Sequence, residues 1–282
     1  MRRRALVRDG LTLWARQWGE PDAPAVVLVH GRGARADTWR PVAERIIDGP
    51  GHWQVLAPDL RGHGDSDWDA ARRYGIGTLA DDLAEWIRAT TPKPCVLVGH
   101  SLGGAVALVT AGREPELVSR LVLEDGGPSS ERLVERWANA QSVPRSRFAD
   151  FSDAMAELEL LFPGDTTPAN RVRRLAHFFE SGDAGDVVWR SDMPGMIAAP
   201  RDSLLLDKSW QAVQDLRCPL TLIVAEDNSM LDPDAGARIL AAKPDTEVVK
   251  IAGARHDVHT SRPEDYLRVL GNVLAAADGT IR

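Results

Sequence analysis

The amino-acid sequence predicts an α/β fold: a mostly parallel, doubly wound sheet with an inserted helical cap. Short apolar runs bounded by turn residues are typical of parallel strands that are buried on both faces. Amphipathic helical patterns separate these runs, and prolines lie in the first turns of several of them. This alternation of strand and helix is interrupted only between residues 128 and 210.

The predicted elements follow one another in a regular order. An imperfectly alternating segment at residues 11–18 is consistent with an antiparallel edge hairpin. Six parallel strands are predicted after it, at residues 25–29, 55–57, 95–98, 121–124, 220–224 and 247–251. The helical patterns cover residues 39–47, 78–89, 101–112, 233–242 and 263–276. Alternating strands and helices predict a parallel sheet with helices on both of its faces.

The segment from residue 128 to residue 210 differs from the rest of the chain. It has no strand pattern, and six prolines separate its short amphipathic stretches. Its supply of aromatic residues and methionine exceeds what a surface loop uses. We therefore expect residues 1–127 and 211–282 to form one core, and residues 128–210 to form a helical insertion, here named the cap segment.

Composition and charge exclude several classes of protein. The 282 residues include 34 Lys and Arg against 41 Asp and Glu, a formal charge of −7, which disfavours nucleic acid as a partner. No run approaches the roughly 18 apolar residues of a membrane helix, and the arginines at residues 2–4 precede no apolar stretch. Cys95 and Cys218 lack the spacing of a zinc site. We expect a cytoplasmic protein with a small-molecule partner and no membrane partner; the sequence leaves the oligomeric state open.

A serine lies between glycines directly after one predicted strand. Gly99-His100-Ser101-Leu102-Gly103 follows the run at residues 95–98 and opens a helix rich in small residues. Such a serine can occupy a sharp strand-to-helix turn that exposes its Oγ at the sheet edge. Side chains at residues 99 and 103 would clash with neighbouring backbone. The context favours Ser101 as a nucleophile over a structural Gly-Ser turn.

With this motif, the chain resembles the α/β-hydrolase superfamily over nearly its whole length. Four blocks carry the resemblance in order: His30-Gly31-Arg32-Gly33, Asp59 to Ser66, Gly99 to Gly103, and Gly253-Ala254-Arg255-His256. The resemblance implies an oxyanion hole formed by the backbone N–H groups of Arg32 and Leu102. It also implies that His256 is the general base, with His259 as the alternative. For the Arg32 side chain, a solvated arginine is favoured over one that binds an acidic substrate group.

The acid of a Ser-His-Asp triad is ambiguous in this sequence. The family usually carries it after the seventh strand, where counting from Ala225 gives Asn228 and Ser229 instead. An amide cannot stabilise an imidazolium as a carboxylate does, so we expect another acid to serve. Some family members carry it after the sixth strand, where this chain has Asp125. We favour Asp125, with Asp227 as the runner-up, and Glu124, Glu226 and Asp232 stay open. The alternative to a role in the triad is that Asp125 only forms a turn or caps a helix.

A serine nucleophile implies an acyl-enzyme and separates the chain from relatives with Asp at this position, the epoxide hydrolases and haloalkane dehalogenases. We expect a serine hydrolase that cleaves an ester or lactone of a medium-sized apolar substrate. The candidate substrate-binding residues are Trp137, Phe162, Phe178, Trp189, Met193 and Met196. Packing of the cap segment onto the core is the competing explanation for these side chains.

Three other functions stay open at this point. They are hydrolysis of a carbon–carbon bond in a diketone-type compound, acyl transfer or perhydrolysis, and ligand binding with slow turnover by a receptor-like α/β hydrolase. The displaced acid favours the last of them. No GxxxxGK[ST], no GxGxxG before a helix and no HExxH occurs in the sequence, so we expect neither a cofactor nor a metal.

Overall fold

The computed structural model describes residues 1–128, 143–161, 167–198, 206–227 and 229–279. The strands in these ranges are β1 (Arg2–Leu6), β2 (Thr12–Gly19), β3 (Ala25–Val29), β4 (Gln54–Pro58), β5 (Cys95–His100), β6 (Val118–Glu124), β7 (Arg147–Phe148), β8 (Phe179–Ser181), β9 (Val187–Trp189), β10 (Leu220–Ala225) and β11 (Glu247–Ile251). The α-helices are α1 (Arg40–Ile47), α2 (Ile76–Thr90), α3 (Leu102–Arg113), α4 (Phe151–Leu161), α5 (Pro168–Phe178), α6 (Met193–Ile197), α7 (Leu206–Asp215), α8 (Ala235–Ala242), α9 (Val258–Ser261) and α10 (Pro263–Asp278). Among these helices, none combines the length and the apolar character needed to cross a membrane.

One eight-stranded sheet organises the core, in the order β1-β2-β4-β3-β5-β6-β10-β11. β1 and β2 form an antiparallel hairpin at one edge, and β2 pairs antiparallel with β4. All other pairs in this sheet are parallel. The predicted mostly parallel sheet is confirmed, and the alternating segment at residues 11–18 is one strand of the edge hairpin.

Both faces of the sheet are covered, which explains why its central strands are continuous apolar runs. Val27 and Val29 of β3 pack into a cluster with residues of α2, α3 and α7. Val26 and Leu28, the alternate residues of the same strand, pack into a second cluster with residues of α1 and α10. Side chains alternate between the faces of a strand, so a strand with two buried faces needs apolar residues throughout. Each fully buried side chain of this kind stabilises the fold by about 1.5–3 kcal/mol.

The described part of the cap segment contains more than helices. A small antiparallel sheet in the order β7-β9-β8 accompanies α4, α5 and α6. The sequence predicts only helices here, because strands of two or three residues are too short for an alternating pattern to appear. Residue 210, the predicted end of the cap segment, lies inside α7, and Ala212 and Val213 of this helix pack on the sheet.

The end of the cap segment is bound to the turn that follows β4. The Gly64 N–H donates to Arg190 O at 2.9 Å, and the Asp192 N–H donates to Gly62 O at 2.9 Å. The Tyr74 hydroxyl donates to Asp192 Oδ2 at 2.9 Å. These bonds hold α6 above the carboxyl ends of the parallel strands, where ligands bind in open α/β sheets.

Candidate active site

Ser101 alone forms the turn between β5 and α3. Its backbone has φ 54° and ψ −118°, a left-handed φ that costs about 1–3 kcal/mol for a residue with a side chain. Close packing holds this turn in place. A Cβ at Gly103 would overlap Val29 O, and a Cβ at Gly99 would overlap Gly103 O, so both positions need glycine as expected. The serine hydroxyl is thereby presented at the end of the sheet.

His256 lies in the loop after β11 and contacts both Ser101 and Asp125. The Ser101 hydroxyl and His256 Nε2 are 2.9 Å apart, and His256 Nδ1 is 2.6 Å from Asp125 Oδ2. A neutral imidazole in this position donates its Nδ1–H to the carboxylate and accepts the serine proton at Nε2. The three side chains therefore form one hydrogen-bonded series. The second histidine of this loop, His259, binds Glu124 instead.

Asp125 is fully buried and follows the last residue of β6. Its carboxylate accepts the Ser229 hydroxyl at 2.6 Å and the N–H groups of Ala225 and Met230 at 3.1 and 2.9 Å, in addition to His256. Burial raises the pKa of Asp125, but the hydrogen bonds and the charge of His256, joined by the other donors, hold it below its ordinary value. Asp125 is therefore ionised wherever His256 can act as a base.

The loop after β10 contributes donors to the site rather than an acid. Asp227 is exposed, and its backbone N–H donates to Ala254 O at 2.8 Å. Glu226 is also exposed and accepts the Gly253 N–H at 3.1 Å. Ser229, one of the two residues found where the family places its acid, donates to Asp125. Residue 228 lies outside the described residues. The role of Ser229 as a donor left no signal in the sequence.

Burial and the neighbouring carboxylates shift the pKa of His256 in opposite directions. Burial lowers its pKa, whereas the hydrogen bond to Asp125 and the negative charges of Asp257, Asp125 and Glu124 raise it. The result is a pKa above the ordinary value of histidine. A stabilised imidazolium is what a general base requires during the transfer of the serine proton.

The loop of residues 30–33, here named the oxyanion loop, is held by His30. The His30 Nδ1–H donates to Gly31 O at 2.8 Å, and His30 Nε2 accepts the Leu60 N–H at 3.0 Å. Only the neutral tautomer with the proton on Nδ1 makes both bonds. Burial also lowers the pKa of His30, so the ring stays neutral and serves as a fixed support for the loop.

The oxyanion loop lies directly against the nucleophile. A Cβ at Gly31 would come within 3.3 Å of Ser101 Cβ and 2.9 Å of His100 Nδ1. Arg32 follows Gly31, and Leu102 follows Ser101 as the first residue of α3, where a backbone N–H has no acceptor within the helix. The two residues predicted to form the oxyanion hole therefore flank Ser101.

The Arg32 side chain is half-buried rather than solvated. Its Nη1 lies 3.5 Å from Met196 O in α6, and burial lowers its pKa to about 10. The guanidinium is still charged at neutral pH. The structure therefore differs from the favoured expectation of a solvated arginine, because the cap segment covers this side chain.

The predicted substrate-binding residues fall into three groups. Met193 and Phe178 pack on the oxyanion loop: a Cβ at Gly33 would overlap Met193 Cε and come within 2.9 Å of Phe178 Cε1. Met196 lies over Gly62, 3.1 Å from the position of a Cβ there. Trp189 lies in the core of the cap segment, with ring centroids 5.6 Å from Phe148 and 4.3 Å from Phe179. Trp137 and Phe162 lie outside the described residues.

Comparison with known proteins adds independent information. The sequence model of the family described as "Alpha/beta hydrolase family" matches residues 26–269. An esterase from Mycobacterium tuberculosis is 30% identical over 92% of this chain and 85% of its own length. A 2-(acetamidomethylene)succinate hydrolase from Mesorhizobium japonicum is 28% identical over 94% of this chain and 92% of its own. The solved structure of E-2-(acetamidomethylene)succinate hydrolase is similar with a TM-score of 0.82 and 27% identity, covering 98% of this chain and 99% of that one.

Proposed function

The chain belongs to the alpha/beta hydrolase family, and on that premise we propose that it is a serine hydrolase that cleaves a carboxylic ester or lactone through an acyl-enzyme. The observation that carries this proposal is the series from Asp125 through His256 to Ser101, with distances of 2.6 and 2.9 Å. The esterase among the relatives supports the same reaction class.

In the acylation step, Ser101 Oγ attacks the carbonyl carbon of the substrate while His256 Nε2 takes the serine proton. The carbonyl oxygen becomes an oxyanion, and the backbone N–H groups of Arg32 and Leu102 stabilise it. Asp125 stabilises the imidazolium and keeps its Nδ1–H directed at the carboxylate. Collapse of the tetrahedral intermediate breaks the bond to the leaving oxygen, which receives the proton from His256 and departs as an alcohol.

In the deacylation step, a water molecule takes the place of the alcohol. His256 accepts a proton from the water, whose oxygen attacks the acyl carbon bound to Ser101. The second intermediate releases the carboxylic acid, and the proton returns from His256 to Ser101 Oγ. With a lactone, the leaving hydroxyl stays attached to the acyl group, so a single hydroxy acid is the product.

A medium-sized apolar acyl group suits the surroundings of the oxyanion loop. Met193 and Phe178 pack on Gly33, within the same short loop as the proposed donor Arg32. Apolar side chains that meet a few directed polar groups are typical of small-molecule sites. These contacts make the surroundings of the oxyanion loop apolar, which favours a substrate with an apolar acyl group.

A second candidate substrate carries a carboxylate near the scissile bond. It is favoured by the half-buried Arg32 side chain, which extends from the oxyanion loop toward α6. One relative is named for hydrolysis of a succinate derivative. An arginine can bind a carboxylate through two parallel hydrogen bonds.

A series of p-nitrophenyl esters of increasing acyl length tests the proposed function. We expect multiple turnover by the wild type and a fall in kcat of on the order of 10⁶-fold in Ser101→Ala, because the nucleophile is removed. Ser119→Ala is the matched control, since it removes a hydroxyl that binds Cys95 O at 3.0 Å at the far end of β6. Full activity of Ser101→Ala contradicts the proposal.

The two substrate classes are separated by a pair of esters of equal length, one neutral and one ending in a carboxylate. Arg32→Gln keeps the backbone N–H and removes the charge. A selective rise in KM for the acidic ester, of tenfold or more, supports the carboxylate substrate, as expected for a lost charge-assisted contact of about 1.5–3 kcal/mol. An equal effect on both esters favours the apolar substrate.

A further inference from the structure

The proposed reaction leaves one buried carboxylate next to the site without a role. Glu124, the last residue of β6, is fully buried and immediately precedes Asp125. It lies between β5 and β10, where its register partners are His100 and Ile223. Burying a carboxylate is expensive unless it is paired and hydrogen-bonded. A Glu at this position therefore needs a specific partner.

That partner is His259, which follows the proposed base by three residues. Glu124 Oε1 accepts the His259 backbone N–H at 2.8 Å and its Nδ1–H at 2.7 Å, with Oε2 3.0 Å from the same Nδ1. Burial raises the pKa of Glu124, but the neighbouring His259 and His100, together with the two hydrogen bonds from His259, hold it below its ordinary value, so the carboxylate is ionised at neutral pH. Glu124 and His259 thus repeat the arrangement of Asp125 and His256.

Aromatic contacts hold the His259 ring in place. It stacks on Trp39 with ring centroids 4.5 Å apart and an interplanar angle of 30°. It also meets the edges of His100 and Tyr266, at 5.4 and 6.0 Å. These partners come from separate parts of the core, so the start of α9 is fixed from several directions.

His100 connects the His259 ring to the backbone of His256, the proposed base. The His100 Nε2–H donates to His256 O at 3.1 Å, and the rings of His100 and His256 have centroids 4.7 Å apart. His256 is therefore held at its carbonyl by His100 and at its ring by Asp125. Through Glu124 and His259, the same loop is bound to the same strand end a second time.

We propose that Glu124 and His259 form a positioning pair that holds the His256 loop in register with Asp125 and Ser101. Glu124 at the end of β6 and Asp125 directly after it bind two histidines three residues apart, so the loop can neither slide nor rotate without breaking one of the pairs. This inference rests on the proposed function, because it assigns the pair to the orientation of the same general base.

The carboxylate of this pair also affects the pKa of His256. Glu124 is one of the groups that raise the pKa of His256. The titratable groups that act on His256 among the described residues include Glu124 at the end of β6, Asp125 directly after it, His100 at the end of β5 and Asp257 in its own loop. Those that face His259 include Glu124, His100, Asp257, Tyr266 in α10 and His177 in α5. Removing the charge of Glu124 leaves the others in place.

Glu124→Gln tests the proposal with little change of shape. We expect kcat for a p-nitrophenyl ester to fall by about 10–100-fold with KM little changed, because a displaced base affects the chemical step. The acidic limb of the kcat/KM profile should move to lower pH, since a negative charge near His256 is lost. A variant with wild-type kcat and an unmoved acidic limb overturns the proposal.

Asp82→Asn is the matched control for the loss of a buried carboxylate. Asp82 in α2 is fully buried and binds Arg61 through two bonds of 2.7 Å. The Asp82→Asn variant should have a lower melting temperature and an unmoved acidic limb of the kcat/KM profile. If both variants lose activity only in proportion to their stability, the positioning role is overturned.

Two further measurements keep the test decisive. If Glu124→Gln does not fold, His259→Gln, which can still donate to Glu124, is compared with His259→Leu, which cannot. A lower kcat for the Leu variant supports the proposal, and equal values contradict it. If the wild type hydrolyses no ester, the proposed function fails, but the position of His256 still decides this inference: a crystal structure of Glu124→Gln in which His256 Nδ1 has moved away from Asp125 Oδ2 supports it, and an unchanged separation of 2.6 Å contradicts it.

Discussion

The ends of β6 and β10 are neighbours in the sheet but contribute opposite chemistry to the site. β6 ends in two carboxylates, Glu124 and Asp125, each bound to a histidine. The loop after β10 contributes donors to Asp125, among them the Ser229 hydroxyl at 2.6 Å. Parallel strands lie about 4.8 Å apart and end at one edge, so a side chain from either strand can reach the same place. The proposed mechanism needs a carboxylate at Nδ1 of His256, and we expect that either strand end could supply it.

The largest effect should follow removal of the Asp125 charge. Asp125→Asn keeps the shape but offers an amide to His256, so the imidazolium is no longer stabilised and the ring can take the wrong tautomer. We expect kcat for a reactive ester to fall by about 10⁴-fold. Steady-state kinetics on folded protein measures this loss, and a fall of less than tenfold would mean that another acid serves.

Moving the acid across to the β10 loop sharpens the comparison. Ser229→Asp in the Asp125→Asn background brings a carboxylate to the place from which Ser229 now contacts Asp125. We expect at least a tenfold recovery of kcat over Asp125→Asn alone. Ser229→Asp with Asp125 intact should instead lower stability, because two close carboxylates repel. No recovery in the double variant would show that the acid must come from β6.

The charges around His256 predict the pH dependence. Its pKa is raised, and only the neutral ring can accept the serine proton. The kcat/KM value should therefore fall as the pH drops through this raised pKa, by about tenfold for each pH unit below it. Asp125 does not titrate in this range, because its pKa is lowered. A profile that is flat down to the ordinary pKa of an aspartate would contradict this assignment of the base.

The smallest effect should follow removal of the Ser229 hydroxyl, which donates to Asp125. Ser229→Ala removes one of the hydrogen bonds to a buried carboxylate, which costs about 1–3 kcal/mol of stability. We expect a lower melting temperature and only a few-fold fall in kcat, because His256 and two backbone N–H groups still bind Asp125. A loss as large as that of Asp125→Asn would make Ser229 part of the essential machinery.

The sequence predicts those features of the fold and the site that depend on a local pattern of residues. The buried parallel strands appear as apolar runs because both faces of the sheet are covered, and the glycines around Ser101 mark a close approach of backbone. The sequence favours Asp125 over Asp227, because Asn228 and Ser229 occupy the usual position of the acid. The structure then brings Asp125 to His256 and leaves Asp227 exposed.

Other features depend on contacts that leave no local pattern. Glu124 and His259 are 135 residues apart, and Ser229 and Asp125 are 104 apart, so neither bond has a sequence motif. The burial of Arg32 depends on α6, far along the chain. The strands of the cap segment are too short to be distinguished from loops. Long-range packing, rather than propensity, decides each of these.

Reaction of Ser101 with a fluorophosphonate tests the central claim most directly, because it needs the activated serine and no knowledge of the substrate. The labelling rate is measured by intact-protein mass spectrometry for wild type, Asp125→Asn and Asp227→Asn, and the adduct is located by peptide mapping. We expect one adduct on Ser101, a rate at least 100-fold lower in Asp125→Asn, and the wild-type rate in Asp227→Asn. An adduct on another residue, or slow labelling of Asp227→Asn with normal labelling of Asp125→Asn, would contradict it.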